Sequence, residues 1–345
     1  MLVGAAAIGL PGLTFLGRAA GTPTQKVRVG KVYLGNQRPG WPTSTVDLEA
    51  EVHKFEEEFA RLSKEFADVE FVEAGLLSDN QQINSAKEKL KDVDGILAVH
   101  LTLGTEQRIK GLLELKRPMV MFTLPYSGHE WHIVAGLQRE GKPIEVLPSS
   151  DYADLAVAVR PFRAIRRLRD AKVLHISQGP ADAGYVRAIK DKFGTEIVSV
   201  LLPELEQAYA SANVDEARTD AERWIKEAEK VVEPTFEEVL KASRMYVAMR
   251  DLMAKYGASA ITMNCLGMGL VDRNMGYPCL GFVRFNNELR AGVCEADLKS
   301  TMTQLIFTYL VGKPGFVTDP VFDVATNTII HAHCVAATQM LGPNT

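Results

Sequence analysis

The chain has 345 residues, 46% of them hydrophobic, with 39 basic and 43 acidic side chains and a formal net charge of −4. That length buries two or three cores without help from a metal or a disulfide. The mixed, slightly acidic charge offers no basic face for a phosphate backbone, which argues against nucleic acid as a partner.

Residues 1–24 read as a signal-like leader. The first twenty hold one base, Arg18, and no acid, and they pass from an apolar run to small residues. The basic start of an export signal is absent. Two readings therefore stand: an exported, periplasmic protein whose true start lies upstream with a twin-arginine segment, or a disordered or mistranslated leader. Gly and Pro break the stretch too often for a membrane span.

From Lys26 onward, strand-like and helix-like patterns alternate. Residues 27–34 read as a strand. A helix follows from the capping-type Ser44-x-x-Asp47, with Leu48, Val52, Phe55, Phe59, Leu62 and Phe66 forming one apolar stripe. Short apolar strands at 69–72, 95–99 and 118–122, separated by helical stretches at 85–90 and 106–115, imply βαβ crossovers and a mainly parallel sheet. This N-terminal α/β domain is expected over 25–155.

An arginine-rich helical connector leads to a second α/β domain, expected over 156–258. It has strands at 172–177 and 196–200, a helix marked by Val214, Ala217, Ala221, Trp224 and Ala228, and another opened by the capping box Thr235-x-x-Glu238 and closed at Gly257. A C-terminal domain with short strands, Gly-rich turns and a helix from about Asp297 is expected over 259–345. The fold class is α/β: two Rossmann-like parallel-sheet domains, then the start of a third α/β to β-rich domain.

Neither a Gly-x-Gly-x-x-Gly turn nor a P-loop is present, so this pattern carries no nucleotide signature. His129-Glu130-Trp131-His132 lacks the zincin spacing. Its histidines are either ordinary surface residues or ligand contacts beyond a strand's carboxyl end. All four cysteines, Cys265, Cys279, Cys294 and Cys334, lie in the last quarter without Cys-x-x-Cys spacing, and read as small buried thiols near a site, or as pairs if the protein is exported.

In Cys294-Glu295-Ala296-Asp297 two carboxylates sit at a strand-to-helix junction. Either Asp297 caps the helix with Glu295 solvated, or a cation compensates both charges. Asp319, Asp323 and Asn327 lead into Thr328-Ile329-Ile330-His331-Ala332-His333-Cys334, where strand alternation places His331 and His333 on one face. Imidazoles beside a carboxylate pair suit Mn²⁺ or a related ion.

Gly276-Tyr277-Pro278-Cys279-Leu280, the Cys294–Asp297 motif with its helix, Gly312-Lys313-Pro314 and the His333-Cys334 segment together resemble the L-fucose/L-arabinose isomerase superfamily, more specifically its fucose-isomerase-like bacterial branch. The resemblance covers nearly everything from Lys26 onward. It implies a metal-dependent aldose–ketose isomerase of cytoplasmic location, working through an enediol on a small-molecule sugar. By position it makes Asp297 a metal ligand and Glu295 a ligand or the proton-transfer base, with their roles exchangeable. It implies Asp272 where the family has an upstream Glu, and it brings His333 toward the metal. It also implies a homo-oligomer in which His100, His129 and His132 contact substrate, and a chain truncated at its C-terminus. The competing expectations are an exported sugar-binding protein and a non-catalytic isomerase homologue.

Overall fold

The computed structural model describes residues 26–128 and 130–342, so the leader and His129 lie outside the described residues. The chain divides into two compact units at Val159/Arg160. The division falls a few residues beyond the boundary expected at 155.

The first unit runs β1 (Val27–Leu34), α1 (Leu48–Arg61), β2 (Val69–Leu77), α2 (Ile83–Leu90), β3 (Gly95–His100), α3 (Glu106–Leu113), β4 (Met119–Thr123), α4 (Trp131–Arg139) and β5 (Ile144–Pro148). Its strands are ordered β2-β1-β3-β4-β5, with β1, β3, β4 and β5 parallel. This is the order of a doubly wound sheet. Alternation along the strands sends Val32, Ile96, Ala98 and Met121 toward Leu90, Ile109, Leu112 and Val134 of α2, α3 and α4. Phe55 of α1 meets Tyr33 and Phe122 at centroid separations of 6.2 and 6.0 Å. Each such ring, fully buried, contributes roughly 1.5–3 kcal/mol. The stripe read from the sequence is real, but the helix is shorter than the stripe. Asp47, not Ser44, is its cap, accepting from the Ala50 amide, while Leu62 and Phe66 bury themselves from the turns after α1.

Helix α5 (Leu155–Asp170) carries the chain into the second unit. There follow β6 (Lys172–Ser177), α6 (Ala183–Phe193), β7 (Glu196–Leu201), α7 (Leu202–Ser211), α8 (Val214–Glu227), α9 (Phe236–Tyr256), β8 (Ala260–Met263), α10 (Cys279–Asn287), β9 (Ala291–Cys294), α11 (Leu298–Val311), β10 (Asp319–Asp323) and β11 (Thr328–Ala332). The sheet order is β7-β6-β8-β9, all parallel. Residues 259–294, where the sequence reading opens the C-terminal domain, thus supply β8 and β9 to the sheet that β6 begins. The antiparallel pair β10–β11 is the β-rich piece that follows.

Leu174, Ile176, Ile261 and Met263 pack against α7 to α10, while Val173, Ala260 and Val293 pack against α6 and α11. The Thr235 capping box and the left-handed Gly257 close α9 as its sequence requires. Gly292 is needed for a different reason. A Cβ there would stand 2.7 Å from Phe282 Cα, so its absence lets α10 lie directly on β9. Among the described residues no helix is long and apolar enough to cross a membrane.

Candidate functional site

β8 and β9 end side by side, with Met263 opposite Cys294. Carboxyl ends of parallel strands are where ligands gather in open α/β sheets. Between β9 and α11 the chain turns through two successive left-handed residues, Glu295 at φ 65° and Ala296 at φ 56°. Neither is glycine, so each costs on the order of 1 kcal/mol or more. Strain retained where a carboxylate is presented points to function rather than packing.

The two carboxylates of this turn have different tasks. Asp297 is the N-cap of α11. One oxygen accepts from the amides of Lys299 at 2.8 Å and Ser300 at 3.1 Å, and the other accepts from the Ser300 hydroxyl. Glu295 lines an open hollow of about 400 Å³. There Glu295, Asp319 and His333 each bring a donor atom within 4.8 Å of the others. His333 Nε2 lies 3.6 Å from Asp319 Oδ2, and the ring is only 9% exposed. Two carboxylates and an imidazole are donors of the type that suits Mn²⁺ and related ions.

The segment bearing His333 is held in place by one buried amide. Asn286 of α10 donates to the carbonyls of Gly292 and Val335, both at 3.1 Å, and accepts from the Gly292 amide and the Gln304 side chain. Val335 is fully buried in the core of the second unit. Next door, Asn287 bonds Thr338 and the Gln339 amide. These contacts seat residues 333–339 against α10 and leave His333 and Cys334 at the hollow.

All four cysteines meet at the same hollow. They arrive from four segments: the turn after β8, the first residue of α10, the last of β9 and the stretch after β11. Cys279 Sγ lies 3.4 Å from Cys334 Sγ, and all four are free thiols. The Cys294 thiol bonds Cys265 and Cys334. Donation from Cys294, with help from the Glu295 amide and against burial, draws the Cys265 thiol down to about 6. Donation from Cys279 and Cys294 likewise holds Cys334 far below the usual thiol range, with His333 adding to the effect. The donors Cys279 and Cys294 are pushed up by the same bonds and by burial.

The other residues singled out by sequence lie elsewhere. Asp272 is exposed and does not line the hollow. β11 ends at Ala332, so His331 and His333 do not share a strand face: His331 is exposed and bonds Thr318 Oγ1 at 2.9 Å. His132 is exposed on the first turn of α4.

His100 is 1% exposed, with Nε2 3.0 Å from Glu130 Oε2 and Nδ1 3.2 Å from Thr123 Oγ1. Both nitrogens are thus occupied, and a substrate has no access to them here. Glu130 also accepts from the Gly104 and Thr105 amides and from the Thr105 hydroxyl. Burial raises its pKa, but the bonds from His100 and Thr105 outweigh that and hold it at about 2.

Sequence reasoning noted Asp319 only as a lead-in to the histidines, and it missed the convergence of the thiols. The available signal was the confinement of every cysteine to the last quarter of the chain.

Fold and hollow together define a doubly wound α/β protein with a metal-competent donor set at the carboxyl edge of its second sheet. No family model matches the chain. It is similar to the sulfoquinovose isomerase of Clostridium sp. (strain MSTE9), 28% identical over 186 residues. The match covers 52% of this chain and 41% of that protein, so it spans less than half of the relative's length. The similarity is therefore to a sugar isomerase, in the direction of the resemblance read from the sequence.

Proposed function

We propose that this protein is a metal-dependent aldose–ketose isomerase whose Mn²⁺ or related divalent ion is held by Glu295, Asp319 and His333. The observation that carries this reading is the convergence of those three donors on one hollow, in a chain similar over half its length to a sulfoquinovose isomerase. When bound, the ion would act as a Lewis acid that stabilises negative charge developing on the sugar oxygens.

The chain's own residues supply the rest. The left-handed turn aims Glu295 into the hollow, where its carboxylate takes the proton from C2 of an open-chain aldose and returns it to C1. The C2–H electrons form the C1–C2 double bond of an enediol. The hydrogen on O2 passes to O1, and reprotonation at C1 leaves a carbonyl at C2. The exposed Tyr277 and Leu266 at the rim offer apolar surface to the C–H face of the sugar. Asp297, as the helix cap, holds the turn.

Assembly into a homo-oligomer belongs to the same reading. The exposed Val321, Phe322, Ile329 and Ile330 of the β10–β11 hairpin support it, since such apolar clusters commonly mark contact surfaces. Sedimentation would test it, and a strict monomer would remove it.

The first experiment is Mn²⁺ calorimetry on metal-stripped protein beside Glu295→Gln and Asp297→Asn, followed by an aldose screen. Loss of binding in Glu295→Gln with retention in Asp297→Asn is expected, because asparagine also caps a helix. Absence of Mn²⁺ binding in the wild type would sink the reading. A sugar bound without metal or turnover would favour the sugar-binding alternative.

A further inference from the structure

The thiols at the hollow are not used by the isomerase reading, and their arrangement has a chemical consequence of its own. Four sulfur atoms drawn from four segments form a bonded row, Cys265 to Cys294 to Cys334 to Cys279, two of them shielded from solvent within the core. Apolar side chains would fill that space without the cost of clustered ionisable groups. The donor atoms of Cys294, His333 and Cys334 lie within 4.8 Å of one another. Cys279 Sγ is 3.4 Å from Cys334 Sγ, and Cys334 Sγ is 3.6 Å from His333 Nδ1. A tetrahedral site with metal–sulfur bonds of about 2.3 Å has edges of about 3.8 Å, so the Cys294, Cys334 and His333 donors stand at separations that one ion can close, while Cys279 touches the set through Cys334 alone.

We propose that Cys294, Cys334 and His333 Nδ1 form a second metal site, selective for a thiophilic divalent ion such as Zn²⁺, beside the oxygen donors Glu295 and Asp319. Two sulfurs and one imidazole nitrogen are three ligands of the kind zinc prefers and leave its fourth position to solvent. Cys265 stands behind this set, bonded to Cys294, and supports it without being a ligand. His333 links the two donor sets. Its Nδ1 accepts from the Cys334 amide at 3.0 Å, a bond the ion would replace, and its Nε2 faces Asp319. A neutral imidazole has a single free lone pair, so an ion on Nδ1 leaves Nε2 protonated and the oxygen set short of one ligand. The two sites would then load in alternation, and a soft ion would displace the hard one from the ring.

The test is a Cd²⁺ titration of the reduced, metal-free full chain under anaerobic conditions, followed by the ultraviolet sulfur-to-cadmium charge-transfer band. Co²⁺ is a second probe, because tetrahedral thiolate cobalt has strong visible bands. The proposal expects a band that saturates at one ion per chain, and an affinity weakened by about 100-fold or more in Cys334→Ser and in Cys294→Ser. It expects the band to persist in Cys265→Ser, in Glu295→Gln and in Asp319→Asn. The last two variants separate it from the isomerase reading, since they remove oxygen donors and leave every sulfur. Far-ultraviolet dichroism and a cooperative melt establish that each variant is folded, and Cys334→Ser, at an exposed residue, is an independent check should Cys294→Ser unfold. No charge-transfer band would overturn the proposal. So would a band lost in Glu295→Gln yet kept in both serine variants.

Discussion

The carboxyl edges of the two parallel sheets each carry a histidine near a carboxylate, yet they are opposite in character. His100 and Glu130 in the first unit are buried, and neighbouring amides, hydroxyls and one another take up their polar atoms. Glu295, Asp319 and His333 in the second unit border an open hollow. Glu295 is presented there by a turn of two left-handed non-glycine residues. Position at a strand end is therefore not sufficient to make a site in this fold. What separates the two is whether donors are satisfied internally, which gives stability, or left beside an open hollow.

That contrast makes predictions of decreasing size. Glu130→Ala removes the acceptor for two amides, a hydroxyl and an imidazole, and is expected to destabilise the first unit by about 3–5 kcal/mol in chemical denaturation while leaving Mn²⁺ affinity unchanged. An unchanged midpoint would mean that the buried pair is not structural.

The same carboxylate makes stability depend on pH. Its folded pKa of about 2 lies below the ordinary 4.5, so the bound form of Glu130 is the charged one. The stabilisation is full above the unfolded value and is lost as pH falls from about 4.5 toward about 2, amounting to roughly 3 kcal/mol. Denaturation midpoints of Glu130→Gln should be flatter than those of the wild type across that window. A parallel acid slope would locate the titration elsewhere.

Glu295→Gln reverses the pattern of Glu130→Ala: Mn²⁺ affinity falls by about 100-fold or more, and stability moves by less than about 1 kcal/mol. A variant that binds Mn²⁺ as the wild type does would reassign the ion. Asp297→Ala should cost about 1 kcal/mol through the lost helix cap. Glu295→Gly is the smallest and most pointed case. Glycine accepts the left-handed conformation freely, so thermal stability should rise by about 1 kcal/mol as metal binding disappears. A fall in stability would show that Glu295 was selected for packing.

The features legible in advance were those decided within a few residues of one another. The Thr235 box, the Gly257 stop, the apolar stripe of α1 and the strand-to-helix turn at Glu295 and Asp297 all depend on local periodicity or capping. Even the choice between capping and ligation at Asp297 was visible as an alternative, because both roles follow from a carboxylate before a helix. Helices α4, α7 and α10 and strand β5 were not read. α10 shows why: Gly281 approaches Tyr246 of α9 within 3.2 Å of where its Cβ would be, and Asn286 is buried to bind β9 and Val335. Its composition reflects what it packs against, not what a helix needs.

Composition, periodicity and capping thus determined that this chain folds as alternating strands and helices, that its four cysteines lie in the last quarter, and that Glu295 stands at a strand end. Strand order and the fold of the C-terminal segment decided which donors meet Glu295. The pairing of β6 with β8 and of β8 with β9 brings Cys265 to Cys294, and the Asn286 bonds bring His333 and Cys334 to both. Contacts between residues 30 to 70 positions apart depend on register and packing across the whole sheet, and no local pattern encodes them.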